Sequence, residues 1–184
     1  SKIKVNILAD GADNSIITSD GAGSFTPASG LATGVLANTP AFEAVLSNDQ
    51  SVSNNTVTKI QFNNEVFDTD NCYDNTTNYR FTPTVAGKYF VYAQVDCYAG
   101  GASDLNVANL RLYKNGSQIH FAYAEFSNNN IQAITRNIAT TVDMNGSSDY
   151  LECFCDINGA SGGGEIFQGF QRRTNFGAYR IIGA

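Results

Sequence analysis

Residues 60–98 carry the order of signals that most restricts the fold. An apolar stretch from Ile60 to Val66 runs into a polar turn that holds Tyr73 and Asp74. A short strand centred on Phe81 follows. Pro83 then interrupts the chain and Ala86-Gly87 turns it. From Lys88 to Tyr98 the residues alternate with a period of two, the mark of a strand with two different faces. Proline and glycine at these places leave no room for a helix between the apolar runs. The block predicts an all-β protein.

The rest of the chain repeats the pattern at short intervals. Strands are expected at 41–47, 56–66, 79–82, 88–98, 107–113, 117–126, 131–142, 149–157, 166–171 and 176–182, with polar or glycine-rich loops between them. Asn115-Gly116 marks the clearest hairpin, because Asn-Gly supplies the two positive φ values of a type I′ turn and both flanks alternate. About ten short strands without an amphipathic helix suit an antiparallel two-sheet sandwich with jelly-roll connections. Residues 1–37 differ. They are rich in Gly, Ala, Ser, Thr and Asp and poor in large apolar side chains, too poor to fold alone. We read them as an extended arm for attachment or a stalk, anchored by Ile3, Val5, Ile7 and Phe25, preceding a globular domain over 38–184.

The formal charge of −6 repels phosphate backbones and argues against nucleic acid. No apolar run reaches membrane-spanning length. The start, Ser1-Lys-Ile-Lys-Val-Asn, lacks the apolar centre of a secretion signal, so folding inside a cell is the expectation. Cys72, Cys97, Cys153 and Cys155 include no Cys-x-x-Cys. In a strand, Cys153 and Cys155 share a face at about 6.6 Å along the axis, unfavourable for a mutual disulfide. Free, packed thiols are expected, with a zinc site a weak second reading and a bridge from Cys97 to Cys153 or Cys155 left open.

Residues for catalysis are scarce. His120 is the single histidine, and it lies in the second strand of the Asn-Gly hairpin, where a strand histidine is the simpler reading. Glu65, Asp96, Glu125 and Glu152 are acids on separate strands, usually solvent-facing. Asp68, Asp70, Asn71, Asp74 and Asn75 form an oxygen-rich run that weakly matches a calcium site. The EF-hand spacing and its closing Glu are absent, so Asx turns are expected and no cofactor is assigned. Sequons at Asn54, Asn75, Asn115 and Asn145 are expected to carry no glycan.

The order Phe62, Asn71, Tyr73-Asp74, Phe81, Pro83, Gly87, Tyr89 and Phe90 resembles the C1q/TNF-like globular domain. Ala41-Phe42 opens the domain as such domains open, and Phe176-Gly177-Ala-Tyr179-Arg-Ile resembles the family's closing strand. The resemblance covers about residues 40–184. It implies a jelly-roll sandwich that assembles as a homotrimer and acts in binding and assembly, not catalysis. It also implies that Phe42, Tyr73, Phe81, Gly87, Tyr89, Phe90, Phe176, Gly177 and Tyr179 fill the core or line the threefold contact. The N-terminal start is similar to that of appendage proteins of tailed, especially marine, phages. Together these give the expectation of a virion structural protein: a capsid decoration, head fibre or tail-fibre knob. It would bind capsid or tail proteins through the arm and host-surface glycan or protein through the head. A secreted, extracellular recognition protein or bacterial adhesin is the alternative, and a glycan-processing enzyme a third.

Overall fold

The computed structural model describes residues 7–9, 11–22, 24–27, 38–101, 103–126, 129–167 and 172–182. The chain divides into two compact units with a boundary between Asn38 and Thr39. The first contains an antiparallel meander of β1 (Ile7–Ala9), β2 (Ser15–Ser19) and β3 (Phe25–Pro27). Its described part is thus a small sheet and not an extended arm. The cause is local: the Asp20 carboxylate accepts the N–H groups of Ala22 at 2.7 Å and Ser24 at 3.0 Å and closes the β2–β3 turn. Ile7, Leu8 and Phe25 are exposed, whereas Ile3 and Val5 lie outside the described residues.

The second unit is all-β, with no α-helix among the described residues. Its strands are β4 (Ala41–Val45), β5 (Gln50–Val52), β6 (Thr58–Lys59), β7 (Asn64–Asp68), β8 (Tyr73–Asp74), β9 (Arg80–Phe81) and β10 (Gly87–Tyr98). They continue with β11 (Leu105–Lys114), β12 (Ser117–Ala122), β13 (Ala133–Met144), β14 (Leu151–Gly159), β15 (Gly164–Phe167) and β16 (Asn175–Arg180). They form two antiparallel sheets. In the first, β10 pairs along its whole length with β13 on one side. On the other side β16 meets Tyr89–Gln94 and β15 meets Asp96–Tyr98. Beyond β16 lie β4 and β7, and beyond β15 lies β5. The second sheet runs β12-β11-β14-β9-β8, with β6 also on β14.

Alternation sends Tyr89, Val91, Ala93, Val95 and Cys97 of β10 into the core and Phe90, Tyr92 and Gln94 outward. From the second sheet, Leu110, Leu112, Leu151, Cys153, Cys155 and Ile157 meet them. Asn115 and Gly116 have φ of 52° and 76°, the turn that the Asn-Gly pair demands. Expected and observed strands part company at 56–66. This run is two strands on different sheets, because Ile60 and Phe62, both fully buried, carry the chain through the core between them. A further strand, β5, lies in the stretch expected to be a loop. It pairs with β15 and has Val52 as its one buried residue.

Candidate functional site

The motif residues fall into two groups. Phe42, Tyr73, Phe81, Tyr89 and Phe176 are buried between the sheets. Phe42 is their hub. Its ring stacks on Tyr73 at 4.5 Å and on Phe81 at 4.6 Å, and meets Phe176 edge-on at 5.0 Å. The two tyrosines satisfy their hydroxyls inside the protein: Tyr73 donates to the Phe62 carbonyl at 3.0 Å and Tyr89 to the Val85 carbonyl at 2.7 Å. Burial pushes the Tyr89 phenol up to about 12 and Tyr73 higher still. These five rings tie the sheets together and are closed to any partner. Gly87 opens β10 with φ 147°.

Phe90 and Tyr179 belong to a second group on the outer face of the first sheet. They are paired across β10 and β16, with ring centroids 5.4 Å apart. Tyr92, which the sequence motifs do not mark, joins Phe90 at 6.4 Å. Phe67 lies in the row of Tyr92, Gly177 and Glu43. Phe67 is 44% exposed and Tyr179 39%, and Phe90 and Tyr92 are half-buried. A polar knot sits within this aromatic face. Tyr92 donates to Glu43 Oε2 at 3.0 Å, and Arg172 donates to Oε1 at 3.2 Å. Burial and then the Glu43 hydrogen bond raise the Tyr92 phenol well above its ordinary range. Along the same face, Asp96 is buried beside Arg173, whose Nη1 stands 2.8 Å from Oδ2 as an ion pair off the hydrogen-bonding direction.

A second apolar surface lies on the sandwich edge. β12, an edge strand, exposes Ile119 and Phe121, and Tyr123 follows it. Arg111 lies over the Phe121 ring at 4.3 Å and is held by Asp156 at 2.7 Å. Beside them, β13 is the edge of the other sheet, and His120 and Thr140 join the two edges by a 2.9 Å hydrogen bond. His120 is exposed, and its hydrogen bond goes to a hydroxyl and not to a carboxylate.

The oxygen-rich turn is occupied by its own backbone. Asp68 accepts the Tyr73 N–H at 2.8 Å. Asp74 accepts the N–H groups of Thr76, Thr77 and Asn78 and the Asn78 amide. These bonds, Thr77 first, hold the Asp74 carboxyl well below the usual range. No group of three metal-competent side chains converges among the described residues. Glu65, Asp96, Glu125 and Glu152 lie apart on β7, β10, the segment after β12, and β14. The four cysteines are free and buried. Burial pushes the Cys97 thiol up to about 12 and those of Cys153 and Cys155 well above their ordinary value, which keeps them protonated and inert. No helix among the described residues is long and apolar enough to cross a membrane.

Solved structures share this architecture. The globular domain of zebrafish complement 1qA matches with a TM-score of 0.54 at 12% identity, covering 77% of this chain and 97% of that one. The fold is a C1q/TNF-like jelly roll. Murine APRIL matches this jelly roll with a TM-score of 0.56 at 12% identity, over 77% of this chain and 98% of that one. Eiger TNF from S. frugiperda matches with 0.53 at 12%, over 78% and 93%. No protein-family model and no curated protein sequence matches the chain.

Proposed function

We propose that the protein is a structural component of a bacteriophage virion: a homotrimer whose jelly-roll head faces outward and whose N-terminal unit seats it on capsid or tail proteins. The observation that carries the assembly is the pair of apolar surfaces on one head. The outer sheet face with Phe67, Phe90, Tyr92 and Tyr179 and the edge with Ile119, Phe121 and Tyr123 are different patches. Two different patches make a head-to-tail contact, and such a contact closes into a ring when the rotation allows it. Aromatic residues and arginine are enriched at interface centres. The C1q/TNF-like fold favours an assembly and recognition role. The similarity of the first residues to phage appendage proteins, and four cysteines left unpaired as in reducing compartments, favour the virion.

Two measurements test this. Sedimentation equilibrium should give three times the 19.7 kDa chain mass. A single-chain mass over a wide concentration range sinks the trimer. Antibody against the head should label purified phage particles. Particles that assemble fully and never carry the protein sink the virion placement. A secreted recognition protein is the second reading, favoured by the likeness to complement 1qA and APRIL. It predicts the trimer but not the labelling.

A further inference from the structure

Tyr98, at the far end of β10, stands about 30 Å from Tyr89, where the last strand leaves the sheet at Arg180. There the loops after β10 and β14 border an open cleft of about 750 Å³, a size that fits a small organic ligand. Its floor is the cross-strand row Tyr98, Glu165 and Ser51 on β10, β15 and β5. Its walls are Asp104, Ser161 and glycine main chain at Gly100, Gly101 and 162–164. Gly163 and Gly164 allow close main-chain approach, since a β-carbon would stand 2.3 Å from the Val52 carbonyl oxygen and 2.5 Å from that of Tyr98, whereas at Gly100 and Gly162 it would meet nothing within 4 Å.

The cleft is built before any ligand arrives. The Tyr98 hydroxyl donates to the Gly100 carbonyl at 3.1 Å and accepts from Gln132 at 3.3 Å, which fixes the ring. Asp104, buried, accepts the Ser161 N–H at 2.7 Å, and its carbonyl accepts from Ala160 at 2.8 Å, so the two loops are tied to each other. Among the described residues no lysine or arginine lines the cleft, which disfavours phosphate and other anions. One carboxylate already serves the loop through the Ser161 N–H, which leaves Glu165 as the exposed charge and makes a cationic guest the competing occupant. What remains is an aromatic ring flanked by hydrogen-bond acceptors and hydroxyls. That combination suits a ligand with apolar C–H faces and a rim of hydroxyls.

We propose that this cleft binds a neutral oligosaccharide, with the Tyr98 ring as the stacking surface and Asp104, Glu165 and Ser161 as hydrogen-bonding partners for sugar hydroxyls. The inference deepens the recognition role proposed above and rests on it. Pre-tied loops lower the ordering cost of binding.

The test is an amide chemical-shift titration of the full-length ¹⁵N-labelled protein. The probes are maltotriose, cellotriose, mannotriose and N-acetyllactosamine, with sialyllactose as the anionic comparison and a lysine-rich peptide as the cationic one. At least one neutral sugar should shift the amides of Gly100, Gly101, Gly164 and Glu165, and sialyllactose should shift them less. Glu165→Ala should weaken that binding about tenfold, the loss of one hydrogen bond to a charged group. Gly101→Arg should abolish it with Tm unchanged, because a β-carbon there meets only Asp104 Cβ, at 3.7 Å. Gly100→Trp, where a β-carbon meets nothing within 4 Å, is the second blocking variant. Silence of these amides toward every neutral sugar overturns the proposal, as does binding that survives both blocking variants or a response to the peptide alone. Sugar binding by a protein missing from particles leaves this site standing and removes the virion placement. Labelled particles without sugar binding do the reverse.

Discussion

The ring of Tyr92 lies directly over Gly177: a β-carbon on residue 177 would stand 2.3 Å from Tyr92 Cζ and 2.9 Å from the Phe42 carbonyl oxygen. The glycine lets the ring lie across β16, so its hydroxyl can reach Glu43 on the next strand. Gly177→Ala is therefore expected to destabilise the head by about 1–3 kcal/mol through overpacking. Tyr92→Ala in the same chain should recover part of that loss. Urea unfolding of the two variants checks this, and an unchanged midpoint for Gly177→Ala sinks it.

Charge placed on the outer face should separate assembly from folding. Phe90→Glu and Tyr179→Lys each put an ion into the surface proposed to meet a neighbour, while the core rings stay in place. Both are expected to give folded monomers, with β-sheet circular dichroism retained and the sedimenting mass reduced to one chain. Trimers that persist in both variants would move the contact elsewhere.

Gly116→Val tests the hairpin. With φ of 76° at this position, a β-branched residue is strained by about 1–2 kcal/mol or more. A lower Tm is expected, and an unaltered one would show that the turn tolerates other geometry.

Acid should act through Asp74. Its folded pKa is depressed below the ordinary 3.8 by the N–H groups it accepts. Its contribution is therefore complete above 3.8 and fades as the pH falls below that value. Asp74→Ala should thus be less stable than the parent at about pH 6, and the difference should shrink at about pH 2.5. A gap that stays constant across this range contradicts the assignment.

Removing residues 1–37 should leave a folded head, because every member of the buried cluster lies at Phe42 or beyond. The same truncation is expected to abolish attachment to the particle. Circular dichroism and particle binding read the two outcomes independently. Reductant should leave Tm unchanged in either form, since the thiols are not linked.

Some of this was legible in the sequence and some was not. The alternation of β10 and the Asn115-Gly116 turn are local signals, and both translate directly into structure. The break at Ile60–Phe62 is not local. Both residues are fully buried while the chain changes sheets, so the apolar run looks like one continuous strand. β5 was hidden because a single buried residue, Val52, makes no pattern. β1 to β3 were hidden because they are short and largely exposed. Alternation also tells that Tyr92 points away from Tyr89. Only the pairing with β16 shows that it faces a glycine and not a side chain.

The pairing of β4 with β16 joins Ala41 to Tyr179 and Val45 to Asn175, which are almost the first and last residues of the head. Contacts so distant in sequence demand loop closure before they repay it, and such topologies fold slowly. During synthesis this sheet stays incomplete at first, because β16 is still unsynthesised when β4, β7 and β10 have emerged. The strand edges that β16 will cover stay open until then and are sites for wrong pairing. Expression of chains ending before Asn175 should accordingly yield aggregates and not a smaller head.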